Sequence, residues 1–404
     1  MRRCDVLVVG AGLAGLWTAR RLASAGLHVV LADGRASVDQ QIRTTGIFVR
    51  RTLEDFQFPE GVFGPEVRDV VLYSPARRTL RLTSPHMEFR VGRMGLLYRR
   101  LLEEAREAGA EWWPRTRCRG IGAGEEPVVR LSGRGPSAIR PRFIIGADGA
   151  RSRVAGWLGL DQNREWIAGV EEVYRGVPLE GPPVFHCLLS SELAPGYLAW
   201  MVHDGEEVHI GVGGYADRFD PARALARLKA EPPVAVDWSR ATMVERRGGL
   251  IPVGGVLPRI ANRRGLLVGD AAGAVSPLTA GGLDPCVRLS DLAARVTVEL
   301  LAGGGEAALA PYAGNQFRRK FASRLALRRM LAGLDHPLLL EAATAVLRVP
   351  PFRVVAEKIF FGRGSFPDVP AWSGDLTGQP RIEPAVNGNS LSEAVRIPES
   401  IEIP

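Results

Sequence analysis

The run Asp5-Val6-Leu7-Val8-Val9 passes without a break into Gly10-Ala11-Gly12-Leu13-Ala14-Gly15, and this juncture limits the fold more than any other stretch. A short, wholly apolar run reads as a strand buried on both faces, as in a parallel sheet. Leu13 to Ala25 is a helix of small and apolar residues that Gly26 ends, and His28–Leu31 is a second strand closed by Asp33. The unit is therefore strand, turn, helix, strand. Gly10 permits the tight turn, Gly12 lets the backbone approach a pyrophosphate, and Gly15 allows helix to pack closely on strand. The helix N-terminus offers N–H groups to phosphate oxygens. Asp33, 23 residues after Gly10, can accept hydrogen bonds from a ribose. The unit predicts dinucleotide binding.

With 404 residues, 46% hydrophobic and 24% charged, the chain suits one large core or two joined domains and excludes a disordered or fibrous protein. No apolar run reaches roughly 18 residues, and the N-terminus lacks a signal-peptide pattern, so the expected location is cytoplasmic. Net charge is +8, carried by 52 basic residues of which only Lys229, Lys320 and Lys358 are lysines. The excess fits an anionic ligand or membrane surface. No zinc-finger or RNA-binding pattern supports nucleic acid as a partner. Cys4, Cys118, Cys187 and Cys286 are scattered and predict neither a disulfide framework nor a metal site.

Further along, residues 92–109 have Met94, Leu97, Leu101 and Ala105 at helical spacing. Residues 143–147 and 265–269 read as buried strands. Residues 166–255 carry short β-rich runs, among them Tyr197–Val202 and Val208–Val212, divided by Gly, Pro and Asp. A helix is expected over 285–302 with Asp284 as its cap and Pro285 at its first position. Residues 311–360 read as helical with a break at Pro350-Pro351, and the tail beyond Phe366 as extended.

Two more turns place an acid among small residues just after a buried strand: Gly146-Ala147-Asp148-Gly149-Ala150-Arg151-Ser152, and Gly269-Asp270-Ala271-Ala272-Gly273 followed by Pro277. With the glycine turn, in this order, they make about residues 4–310 resemble the flavoprotein monooxygenase-like family of aromatic hydroxylases, flavin halogenases and geranylgeranyl reductases. The resemblance implies an α/β fold like p-hydroxybenzoate hydroxylase: a Rossmann-type FAD-binding domain (1–70, 92–165, 256–310) interrupted by a sheet-rich substrate domain (71–91, 166–255). C-terminal helices (311–365) and a tail (366–404) follow. It implies FAD held at its pyrophosphate by Gly10, Gly12, Leu13, Ala14 and Gly15, and at its ribose by Asp33 with Gly34 and Arg35. Asp270 would bind the ribityl chain, with Gly269, Gly273 and Pro277 beside it. Arg93, Asp148, Gly149, the segment Arg43-Thr44-Thr45-Gly46, and Gly281-Gly282-Leu283 fall where the family contacts the cofactor. There is no second glycine fingerprint, so NAD(P)H or another reductant would bind transiently.

Within the family, Ala194-Pro195-Gly196-Tyr197-Leu198-Ala199-Trp200-Met201-Val202 is similar to the Pro-Gly-Gly-Tyr-x-Trp-x-Phe-Pro strand of geranylgeranyl reductases, with Tyr and Trp one residue further apart and Val202-His203 in place of Phe-Pro. Ser276-Pro277-Leu278-Thr279-Ala280-Gly281-Gly282 is similar to their Pro-Leu-Thr-Gly-Glu-Gly, with Gly281 at the Glu. Their Cys-Gly-Gly has no counterpart; Arg43-Thr44-Thr45-Gly46 stands there. The halogenase Trp-x-Trp-x-Ile-Pro is missing, and no lysine precedes Lys229. The expected activity is hydride transfer between FAD and a carbon–carbon bond of an apolar, isoprenoid-like or natural-product substrate. The alternatives are an FAD monooxygenase and, less so, a non-enzymatic prenyl-binding protein. Tyr197 and Trp200 would wall the substrate. Tyr197, His203, Tyr215 and Tyr98 are the candidate proton donors, although His203-Asp204-Gly205 reads equally as a hairpin turn. The basic stretch Phe317–Met330 suits either a membrane surface or a solvated face over a core stripe.

Overall fold

Val6, Leu7 and Val8 are fully buried because the strand that holds them, Arg2–Val9, lies at the centre of an eight-stranded sheet. It pairs in parallel with Val29–Ala32 on one side and Ala138–Gly146 on the other. Gly265–Leu267 extends the sheet beyond Ala138–Gly146, and Glu111–Trp113 extends it beyond Val29–Ala32. In this computed structural model the described residues are 1–124, 127–178, 180–333, 336–362 and 371–372.

The helix Leu13–Ser24 crosses this sheet and packs against Met94–Glu107 and Leu283–Glu299. Its approach is close. A Cβ on Gly15 would lie 1.9 Å from the Gly10 carbonyl oxygen, and one on Gly10, whose φ is +106°, would lie 2.3 Å from that of Ala147. The glycines and the turn after Ala138–Gly146 therefore interlock.

A second, seven-stranded sheet runs Thr242–Pro252, Trp166–Arg175, Glu207–Gly214, Ala199–His203, Val184–Leu188, Asp69–Tyr73, Thr79–Thr83. Phe89–Gly92 departs from the expected 71–91 grouping: it pairs with Ile47–Val49 and Phe63–Val67 in a three-stranded sheet. Sequence proximity to Asp69–Tyr73 could not reveal that these later residues return to partners on the other side.

The long helix starts at Leu283, not 285, and Asp284 is not its cap. Its buried carboxylate instead accepts from Thr52 Oγ1 and Arg288 Nε, each at 2.8 Å, which fastens the helix to Arg50–Asp55. The C-terminal region forms the helices Gly314–Lys320, Ala322–Ala332, Pro337–Arg348 and Pro350–Phe361, two of them opening on proline, whose missing N–H is not needed at a helix start. Within the stretch 317–330, Phe317, Phe321 and Arg328 are buried in the fold, while Arg329 and Met330 are exposed. No described helix is long and apolar enough to cross a membrane. Of the tail, only Ala371-Trp372 falls among the described residues; the Trp372 N–H donates to Asp291 and its carbonyl accepts from Arg21, each at 2.6 Å.

Gly15→Ala should lower the unfolding free energy by about 2 kcal/mol or more, because the backbone it would strike cannot move aside. Chemical denaturation checks this, with Gly26→Ala, where a Cβ would meet nothing within 4 Å, as the positive-φ control.

Candidate cofactor and substrate cavity

One cavity of about 560 Å³ reaches from the glycine turn to the second sheet and the C-terminal helices. At one end it is lined by Gly12, Leu13, Ala14, Gly149, Gly269 and Asp270, with Gly281, Gly282 and Leu283 close by. At the other end it is lined by Thr45, Glu171, Tyr197 and Trp200, under Leu347, Ile359 and Phe360.

The glycine end is built to admit something. A Cβ on Gly12 would meet no atom within 4 Å, and the helix that Gly12 opens has no capping side chain at its N-cap, so space and helix N–H groups are available there to a ligand. Asp270 stands in the tight turn Gly269–Ala272. Among the described residues its carboxylate accepts no hydrogen bond from the chain; burial raises its pKa to about 6, opposed by the Arg43 guanidinium.

Several expected contacts lie elsewhere. Asp33 sits at the end of its strand with Oδ2 accepting from the Ala11 N–H (2.7 Å) and Arg35 Nη2 (2.9 Å), and Oδ1 from the Arg35 N–H and Nε. A carboxylate has about four acceptor positions, and these fill them. Asp33 thus pins the turn and Arg35, and accepts from a ribose only if Arg35 swings away. Burial alone would raise its pKa, but the Arg35 and Ala11 donors hold it low. Asp148 points away from the cavity: it accepts from Ser152 Oγ and the N–H groups of Arg153 and Val154, holding the start of the helix Arg153–Leu158. Arg93 pairs with Glu206 at 2.6 Å and does not line the cavity. Gly273 and Pro277 pack against the turn at Gly254-Gly255, so neither lines it. Gly34 lies under the Arg117 side chain.

The aromatic wall rests on glycines. Trp200 and Tyr197 meet edge to face with centroids 6.5 Å apart. A Cβ on Gly211 would lie 2.4 Å from the Trp200 ring, and one on Gly213 would lie 2.8 Å from the Tyr197 ring. Both rings therefore pack against the strand Glu207–Gly214, inclined at 67° to each other. The Tyr197 hydroxyl donates to the Thr279 carbonyl at 2.6 Å, and burial pushes its phenol well above the usual range, so it keeps its proton and that proton is engaged by the chain. Tyr98 is likewise buried, with its phenol pushed up. His203 closes the hairpin strand, with Asp204 accepting from the N–H groups of Glu206 and Glu207 in the turn; it does not reach the cavity. Tyr215 also lies outside, its hydroxyl accepting from Arg328 Nε at 3.2 Å.

The sequence reading missed Glu171, which is 3% exposed and central to the wall. It accepts from Trp200 Nε1 (2.8 Å), Thr45 Oγ1 and Arg247 Nη1 (3.2 Å), and His209 Nδ1 lies 3.6 Å away. Burial would raise its pKa, but these donors keep it ionised. His209 stands between Glu171 and Asp204, with Nε2 3.5 Å from the latter. Burial and Arg247 disfavour its charge, but the two carboxylates prevail and raise its pKa to about 9. The only trace in the sequence was an acid inside an apolar strand, Val170-Glu171-Glu172-Val173.

A family described as an FAD binding domain matches residues 3–324. The chain is 27% identical over 320 residues to a digeranylgeranylglycerophospholipid reductase of Methanosarcina acetivorans, a match covering 74% of this chain and 76% of that protein. It is 30% identical over 307 residues to digeranylgeranylglycerophospholipid reductase 1 of Methanopyrus kandleri, covering 74% and 81%. The crystal structure of a geranylgeranyl bacteriochlorophyll reductase-like protein from Thermoplasma acidophilum shares the fold, with a TM-score of 0.77 at 21% identity over 90% of this chain and 98% of that one.

The residues present fit FAD. The open face at Gly12 and the uncapped helix suit its pyrophosphate, and the unengaged Asp270 carboxylate suits a polyol. The ionised carboxylate is the better acceptor, so FAD affinity, read from flavin fluorescence, should fall as pH drops through about 6. Asp270→Asn should bind about tenfold more weakly and show no such step. The raised pKa of His209 adds stability that is complete below its ordinary 6.5 and lost as pH rises through 9. Thermal unfolding of the parent should therefore lose on the order of 2–3 kcal/mol across that interval, and His209→Gln should not.

Proposed function

The chain belongs to the FAD-binding flavoprotein family, on its geranylgeranyl reductase branch, and we propose that it saturates a carbon–carbon double bond of an isoprenoid-like substrate at the Tyr197–Trp200 wall. The observation that carries this reading is the continuity of one cavity from the Gly12–Asp270 end to an apolar aromatic wall. When bound, FAD would supply hydride for one alkene carbon, having taken its electrons from NAD(P)H or another donor, and a proton delivered through water would complete the other carbon. The chain binds and orients. Gly12 and the helix it opens receive the pyrophosphate, and Asp270 receives the ribityl chain. Tyr197 and Trp200 offer flat apolar surfaces to an unactivated alkene, whose placement must do much of the catalytic work. Glu171 fixes Trp200 and Thr45, one on each side of the cavity. Phe360, Ile359 and Leu347 cover this end with apolar surface.

The names of the relatives support an isoprenoid lipid as the substrate class. The cavity also supports it: Tyr197, Leu198, Trp200, Leu347, Ile359 and Phe360 give this end apolar surface, Arg247 and Glu171 neutralise each other, and Arg324 and Arg328 add positive charge, the latter beside Tyr197.

The test is anaerobic mixing of the reduced, FAD-loaded protein with a geranylgeranylated glycerophospholipid, and separately with O2. The expected result is flavin reoxidation by the lipid with a gain of two hydrogens per saturated bond, and slow reaction with O2. Oxygen incorporated into an aromatic substrate, with no response to the lipid, would favour a hydroxylase. A protein that takes up no flavin colour would favour a prenyl carrier. Trp200→Ala should lower the lipid half-reaction about tenfold or more while leaving FAD affinity within about twofold, because Trp200 lies at the substrate end.

A further inference from the structure

Twelve large apolar side chains among the described residues are strongly exposed, and eight of them fall between Met330 and Val355. They belong to Ala322–Ala332 and to the helical hairpin Pro337–Arg348/Pro350–Phe361. Leu338 is 72% exposed, Leu339 52%, Phe352 48% and Val355 44%. The opposite face of the same hairpin, with Leu347, Ala356, Ile359 and Phe360, lines the cavity. A helix that is apolar on both sides needs an apolar medium on both. Inside, that medium is the cavity; outside, nothing in the chain's described residues covers it. Each hairpin helix has 12 residues, about 18 Å, too short to span a bilayer and long enough to lie in its surface.

We propose that this hairpin docks in the plane of an anionic lipid bilayer, so that the lipid chain passes from the membrane into the cavity beside it. The surrounding charge selects this occupant. Residues 313–361 carry nine Lys and Arg against three Asp and Glu, and Arg329, Arg353 and Lys358 are exposed beside the apolar side chains. A basic rim around an apolar centre matches a negatively charged bilayer. It disfavours a second copy, because a twofold interface would press the same basic rim against itself. The proposal rests on the lipid-reductase reading for the purpose of docking, but its own measurement does not require turnover.

The experiment is flotation of the full-length, FAD-loaded protein with phosphatidylcholine vesicles containing or lacking phosphatidylglycerol. The protein should float with the anionic vesicles and be released by salt. Phe352→Asp/Val355→Asp should weaken binding by about tenfold or more, and Arg329→Ala/Lys358→Ala by about fivefold per charge. Val234→Asp, at an exposed apolar residue elsewhere, should leave binding unchanged. All variants should keep the parent's flavin spectrum and reduce a detergent-solubilised lipid at the parent rate, which shows that they fold. Failure of the parent to float, or flotation indifferent to Phe352→Asp/Val355→Asp, overturns the proposal. So does a dimer that this variant dissociates. Flotation by a protein that never reduces the lipid keeps the docking surface and rejects the reductase reading.

Discussion

The contact on which the rest depends is the passage of the helix Leu13–Ser24 over the strand it follows. Gly15 sits so near the Gly10 carbonyl, and Gly10 so near Ala147, that no side chain fits between them. The same closeness that excludes a Cβ sets three turns side by side: the one after Arg2–Val9, the one after Ala138–Gly146, and Gly269–Ala272 after Gly265–Leu267. Each follows a parallel strand of one sheet, so all three open on the same edge. That edge is where ligands bind in open α/β sheets. The acids at this edge, Asp33 after Val29–Ala32 together with Asp148 and Asp270, have nevertheless separated in role. Asp33 and Asp148 are saturated by the chain's own donors, and only Asp270 faces the cavity unengaged.

At the far end the organising group is a buried charge. Glu171 gathers donors from the strand Ala199–His203, from Thr45 after the second Rossmann strand, and from Arg247 on the neighbouring strand. Removing one member would leave a buried ion uncompensated, which costs far more than the net worth of any one pair. The cluster thus ties the sheet-rich half to the nucleotide-binding half just where the cavity passes between them. Arg247 also donates to the Thr44 carbonyl at 2.9 Å, fixing the backbone of the segment Arg43-Thr44-Thr45-Gly46.

The nucleotide-binding half was legible because its signals are local. Strand, turn and helix follow one another within Asp5–Asp33, and the close approach of Gly15 to Gly10 is made by residues a few positions apart. The Tyr197–Trp200 wall was legible as residue types, and the structure added the glycine floor of Gly211 and Gly213 that leaves room for both rings. The misplaced residues share a cause. Arg93, Asp148, Gly273 and Pro277 lie beside cavity residues in sequence, but Arg93 is claimed by Glu206, Asp148 by the helix Arg153–Leu158, and the Gly273 backbone and the Pro277 ring by the turn at Gly254-Gly255. Neighbourhood along the chain does not say which way a side chain turns.

By itself the sequence determined the dinucleotide turn, the parallel strands around it, the aromatic pair and the helical C-terminus, since each depends on periodicity, glycine spacing or proline placement within a few residues. Only the tertiary structure decided that Glu171, His209 and Arg247 would meet, that Asp33 would be filled and Asp270 left free, and that apolar side chains of the last hairpin would face outward. Those outcomes depend on contacts between residues tens to hundreds of positions apart, and on competition among donors for the same acceptor, neither of which leaves a pattern in the order of amino acids.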